Sequence, residues 1–158
     1  MAEYRATVSW ARDGAAFTDQ RYSRGHQWIF DEGLAVPASA SPMHVPAGCA
    51  VSAAVDPEEA FVASLSSCHM LFFLYFAARA GHVVERYDDE ATGLMSDDGS
   101  GHPAMTLVTL RPLVRYAGTA PDAAAEAALH HEAHEACYIA RSVRSEVRCE
   151  PRAPGQEG

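Results

Sequence analysis

A chain of 158 residues with 21 acidic and 12 basic side chains carries a formal net charge of −9, which excludes the basic surface that nucleic acid requires. Its 48% apolar content excludes a disordered chain, and its length suits one domain with one core. Four cysteines at irregular spacing, with charges in MAEYRATVSW where a signal peptide needs an apolar run, lead to the expectation of a cytoplasmic protein with reduced thiols.

Residues 3–10 alternate in the manner of a strand, and a polar loop follows to about Arg24. His26 to Asp31 predicts a second strand closed by a turn at Glu32-Gly33, with Leu34 to Val36 as a third. Residues 37–55 hold three prolines and predict a long covering loop. Cys49 within it is read as an exposed spare thiol with no role.

The strongest signal is the helix from Asp56 to Gly81. Asp56 suits the N-cap, Pro57 the first turn, and Glu59 completes an Asp-x-x-Glu capping box. Gly81 suits a left-handed C-terminal cap. Between the caps the run is apolar on nearly every face, so the helix belongs at the centre of a fold or in a bilayer. Ser64, Ser66, Ser67, Cys68, His69 and Arg79, with no basic cluster at either flank, favour the buried central helix. Cys68 in its middle is by default a small packing residue.

Val83 to Met95 reads as a strand, SDDGSGH as a turn, and Met105 to Tyr116 as a long strand. Asp97, Asp98 and Gly99 lack the downstream glutamate of a calcium loop, which leaves a hairpin turn. Residues 121–136 predict a second helix started by Pro121 and Asp122, followed by a short helix or turn over 137–144. Residues 145–151 alternate as a last strand with Cys149 as packing. The expected organisation is a single α+β domain over 1–151 and a flexible tail over 152–158.

Three features together resemble the OsmC and organic hydroperoxide resistance (Ohr) family. They are the Asp56-Pro57-Glu58-Glu59 start with a cysteine ten positions after Glu58, the small-residue approach Ala63-Ser64-Leu65-Ser66-Ser67-Cys68, and Cys137 in HEACYIARSV before the last strand. His69 and Tyr138 stand where better-known branches carry an aromatic residue and a proline, which marks a less characterised branch. The resemblance implies an OsmC-like fold, antiparallel sheets wrapped around the central helix in an intertwined homodimer.

It also implies a thiol peroxidase for organic hydroperoxides, without metal or organic cofactor, recycled by a small dithiol or a lipoyl-bearing protein. In that scheme Cys68 attacks the peroxide and becomes a sulfenic acid, and Cys137 condenses with it to a disulfide. Burial raises a thiol pKa, and Cys68 lies too far along the helix for its dipole to help, so a cation must stabilise the thiolate. Arg24 matches the family's arginine, with Arg21 as the alternative, and Glu58 matches the glutamate that orients it. Ten residues at about 1.5 Å each set Glu58 roughly 15 Å along the axis from Cys68. A shared site then takes Glu58 from a second copy, which again implies a homodimer.

Two other readings stay open. His130 and His134 lie one helical turn apart with Cys137 close behind, and His69 beside Cys68 could join them in a metal site. The aromatic residues Phe61, Phe72, Phe73, Tyr75 and Phe76 could line the pocket of an apolar small-ligand binder.

Overall fold

Asp56 and Glu59 cap each other. The Glu59 N–H donates to Asp56 Oδ1 at 2.8 Å, and the Asp56 N–H donates to Glu59 Oε2 at 3.1 Å. This reciprocal box satisfies backbone donors that a first turn leaves open, and it starts helix α1, Pro57–Arg79. Gly81 ends it at φ 84°, and the His82 N–H returns to the Ala77 carbonyl at 2.9 Å. In this computed structural model, which describes residues 1–153, the chain divides into two compact units with the boundary after Ala60, in the first turn of α1. Residues 154–158 of the expected tail lie outside the described residues.

The first unit holds three short antiparallel strands in chain order: β1 Thr7–Ser9, β2 His26–Ile29 and β3 Ala35–Ala38. Thr7 faces Ile29, and Ile29 faces Ala35 across the turn at Asp31–Gly33. The expected strand over 3–10 shrinks to Thr7–Ser9. The proline-rich segment that follows β3 is tied down: Val55 bridges Ala38, and the Val51 N–H donates to Ser39 Oγ at 2.9 Å. That corrects the reading of Cys49, which is only 4% exposed, and whose carbonyl accepts the Arg24 N–H at 2.7 Å.

The second unit adds to α1 the strands β4 Val83–Asp89, β5 Thr92–Asp97, β6 Pro103–Leu110 and β7 Pro112–Ala117, then helix α2 Ala123–Ala136 and strand β8 Glu146–Cys149. Each of the two long strands expected from the sequence is broken in two. β4 pairs with β7 and β5 with β6, both antiparallel, so one long hairpin contributes to two sheets. Pro112 explains the break, because it has no N–H for a ladder. The Arg111 amide beside it donates at 2.6 Å to Asp89 Oδ1, while Ser66 Oγ donates to Asp89 Oδ2. One carboxylate thus caps the discontinuity.

The turn after β5 spends its acidic groups on its own backbone. Asp97 Oδ1 accepts the N–H groups of Gly99 and Gly101, and Asp98 Oδ1 accepts that of Ser100. β8 lies parallel to β6, with Leu107 opposite Glu146 and Leu110 opposite Cys149. Arg152, expected at the start of the tail, is held: its side chain reaches the Arg111 carbonyl at 3.0 Å and Glu90 Oε2 at 2.8 Å.

Four residues of α1 are buried, Leu65, His69, Phe73 and Ala77, one turn apart along a single stripe. Leu65 packs with Val108 and Leu110 of β6, and Phe73 and Ala77 pack with Val114 of β7 and Leu129 and Ala133 of α2. Gly93 of β5 permits a close approach here, since a Cβ would come within 2.7 Å of Val62 on α1 and 2.6 Å of the Met105 sulfur. Burial on every face is therefore not reached within one chain: Leu71 is 62% and Tyr75 55% exposed.

Candidate active site

The second unit brings Cys68 and Cys137 together. Cys68 comes from the middle of α1 and is half-buried; Cys137 is the C-cap of α2 and 1% exposed. Both are free thiols, and Cys68 lies close enough to act on the Cys137 thiol. Burial above all, and then the neighbouring Cys68, push the Cys137 thiol up to about 11, although the Ala140 N–H donating to its Sγ at 3.4 Å pulls the other way. The two thiols are thus unequal. Cys68 is the more accessible one, and Cys137 waits protonated beneath it.

The other two residues of the predicted site belong to the first unit. The Arg24 guanidinium donates to the carbonyls of Tyr22 at 2.6 Å and Gln20 at 3.0 Å and lies 3.7 Å over the Tyr22 ring. Arg24 is half-buried, whereas Arg21 is exposed. Glu58 takes no part in the capping box, which Glu59 completes. Its Oε2 is buried with no hydrogen-bond partner among the described residues. A buried carboxylate oxygen in that state calls for a donor.

A cavity of about 400 Å³ in the first unit is lined by Val8, Trp10, Phe17, Tyr22, Arg24 and His26, among others. The Phe17 and Tyr22 rings stack at 4.6 Å, and Trp10 meets Tyr22 edge-on at 5.3 Å. These aromatics differ from the ones expected to line a pocket. Phe73 is instead fully buried core, with Phe72 and Phe76 packed against it.

The metal-ligand spacing read on α2 is likewise redrawn. The donors that converge are His69, His130 and Cys149, with ligand atoms all within 4.8 Å of one another. His134 and Cys137 are outside this set. Burial holds both imidazoles near a pKa of 4, with His130 and His134 adding to the effect on His69. Burial also pushes the Cys149 thiol up to about 12, helped by Asp89 and Glu150. Sequence reasoning passed over Cys149 because β8, which carries it, meets α1 and α2 only by lying parallel to β6, a non-local pairing that leaves no periodic signal.

The family model for OsmC-like proteins matches residues 50–152. An OsmC-like protein of unknown function from Vibrio cholerae is 50% identical, over 96% of this chain and 100% of that one, with a TM-score of 0.93. The chain belongs to the OsmC-like family. Its fold is also that of an organic hydroperoxide resistance protein from Bacillus subtilis, 18% identical over 96% of this chain and 98% of the other, with a TM-score of 0.65. A Legionella pneumophila organic hydroperoxide resistance protein, 17% identical over 96% of each chain, gives 0.66. Comparison with curated proteins yields no match. Within this OsmC-like chain, the thiol pair ties the two helices of the second unit together, α1 through Cys68 and the end of α2 through Cys137.

Proposed function

We propose that the protein is a thiol-dependent peroxidase that reduces organic hydroperoxides in cytoplasmic defence against oxidative stress. The observation that carries this reading is the accessible free Cys68 thiol beside the buried free thiol of Cys137. The Cys68 thiolate attacks the terminal oxygen of ROOH, the O–O bond breaks, and the alkoxide leaves as ROH after taking a proton. Cys68 is now a sulfenic acid. The Cys137 thiolate displaces its oxygen as water, forming the disulfide. A dithiol or lipoyl-bearing reductant then supplies two electrons and two protons to restore both thiols.

Arg24 stabilises the Cys68 thiolate, and Glu58 orients Arg24. The unpartnered Glu58 oxygen and the exposed Leu71 and Tyr75 of α1 support a homodimer in which each site is completed by the second copy. Organic hydroperoxide resistance in the structural relatives supports the choice of substrate. The four unpaired cysteines suit a reducing compartment.

The test is turnover of an organic hydroperoxide with a dithiol reductant. Cys68→Ser should remove it, and Cys137→Ser should permit one oxidation without a cycle. Full turnover by Cys68→Ser would end the mechanism. Binding of a small apolar ligand is the second reading, and the aromatic cavity beside Arg24 favours it. In that case Cys68 stays unreactive toward hydroperoxide.

A further inference from the structure

The polar trio noted above interrupts an otherwise apolar core. His69 lies on the buried stripe of α1 between Leu65 and Phe73, one member of each apolar cluster. His130 comes from α2 and Cys149 from β8. His69 and His130 are 1% and 3% exposed, their rings are nearly parallel at 5.4 Å, and Phe73 stacks on His130 at 4.2 Å. Burying two imidazoles in such a place costs stability unless their nitrogens are used. His69 Nδ1 and His130 Nε2 face no partner among the described residues. The nitrogens that do converge are His69 Nε2 and His130 Nδ1, 3.1 Å apart, each 3.7 Å from Cys149 Sγ.

We propose that His69 Nε2, His130 Nδ1 and Cys149 Sγ form a binding site for a divalent ion of the zinc class, joining α1, α2 and β8. Zinc bonds of about 2.0–2.1 Å to nitrogen and 2.3 Å to sulfur at tetrahedral angles give ligand–ligand edges of about 3.3 Å for N···N and 3.6 Å for N···S. The triangle of 3.1, 3.7 and 3.7 Å lies close to those edges. Hydrogen bonding alone uses it less well. One proton can join the two nitrogens, which uses the one accepting lone pair and leaves no nitrogen acceptor for the thiol proton. Two imidazoles and a thiolate are also the donor set that zinc prefers over harder cations such as magnesium or calcium.

The charge balance agrees with this assignment. Binding exchanges the Cys149 S–H proton for the metal: the S–M bond forms, one proton leaves to solvent, and the site keeps one positive charge. The Asp89 carboxylate, whose field reaches both Cys149 and Tyr87, offsets it. The peroxidase scheme uses neither Cys149 nor the histidines, so this site stands or falls independently of it.

The experiment is titration of the reduced, metal-free full chain with Zn²⁺ and, separately, with Co²⁺. One ion per chain is expected, with a sulfur-to-cobalt charge-transfer band and a rise in Tm that a chelator reverses. Cys149→Ser should weaken binding more than about 100-fold, since loss of even an outer-shell partner costs 10–100-fold. Cys68→Ser should leave it unchanged. If Cys149→Ser does not fold, the triple variant Cys49→Ser, Cys68→Ser, Cys137→Ser decides, because it keeps Cys149 as its sole thiol. A cobalt charge-transfer band in that variant supports the site, and its absence overturns it. Failure of the wild-type chain to take up one ion, or equal affinity in Cys149→Ser, overturns it too.

Discussion

In the proposed mechanism, the burial of Cys137 sets the pH dependence of disulfide formation. With its thiol pushed up to about 11, about one molecule in 10⁴ carries the thiolate at pH 7 and about one in 10² at pH 9. The sign follows from the cause: burial disfavours the charged form, so raising the pH supplies the nucleophile. Condensation with the Cys68 sulfenic acid should therefore quicken about tenfold per pH unit, or about a hundredfold between pH 7 and 9. Reduced protein would be mixed with one equivalent of cumene hydroperoxide and quenched with dimedone after increasing delays. Mass spectrometry of the Cys68 peptide then gives the lifetime of the sulfenic acid. In Cys137→Ser that lifetime should be long at both pH values. A wild-type rate that changes less than about threefold across this range would refute the assignment of a buried, protonated Cys137 as the resolving group.

Truncation of the core residue Phe73 to Ala should cost about 3–5 kcal/mol, read from urea unfolding, because the ring is fully buried against Val114, Leu129 and Ala133; a loss below about 1 kcal/mol would contradict the packing described. Glu58→Gln should lower hydroperoxide turnover with little change in stability. Its neighbour Glu59→Ala should do the reverse, losing about 1 kcal/mol with the capping box and leaving turnover intact. Equal effects of the two on turnover would remove the special role of Glu58. Gly93→Ala should cost about 1–3 kcal/mol in thermal or urea unfolding, since its new methyl meets Val62 and Met105; an unchanged Tm would show that α1 has room to give.

The elements legible in the sequence are those fixed by contacts within a few residues. The Asp56–Glu59 box forms as its spacing dictates, Gly81 takes the left-handed conformation, and Asp122 caps α2 by accepting the Ala125 N–H at 2.8 Å. The breaks in the hairpin were less visible, because alternation continues through them. Pro112 was the readable signal, whereas the Asp89 carboxylate that serves the Arg111 amide lies 22 residues away.

Non-local geometry set the rest. Cys68 and Cys137 were paired by resemblance, and their meeting depends on the approach of α2 to α1. Cys49 looked like a surface thiol within a polar, proline-rich stretch, yet that stretch folds back on β3 and buries it. The metal spacing on α2 pointed to His134 and Cys137, but the converging donors come from three elements. A helix apolar on every face calls for cover on every face, which two packed copies wrapped by sheets would supply. One chain covers a single stripe of it, leaving Leu71 and Tyr75 for a second copy in the proposed dimer.

The central claim is two-cysteine peroxide chemistry, and peptide mapping tests it most directly. The fully reduced protein would be treated with one equivalent of an organic hydroperoxide, alkylated, digested and analysed by mass spectrometry. The account predicts a new Cys68–Cys137 disulfide with Cys49 and Cys149 still alkylated as free thiols. A Cys68 that remains a thiol while hydroperoxide persists would contradict it.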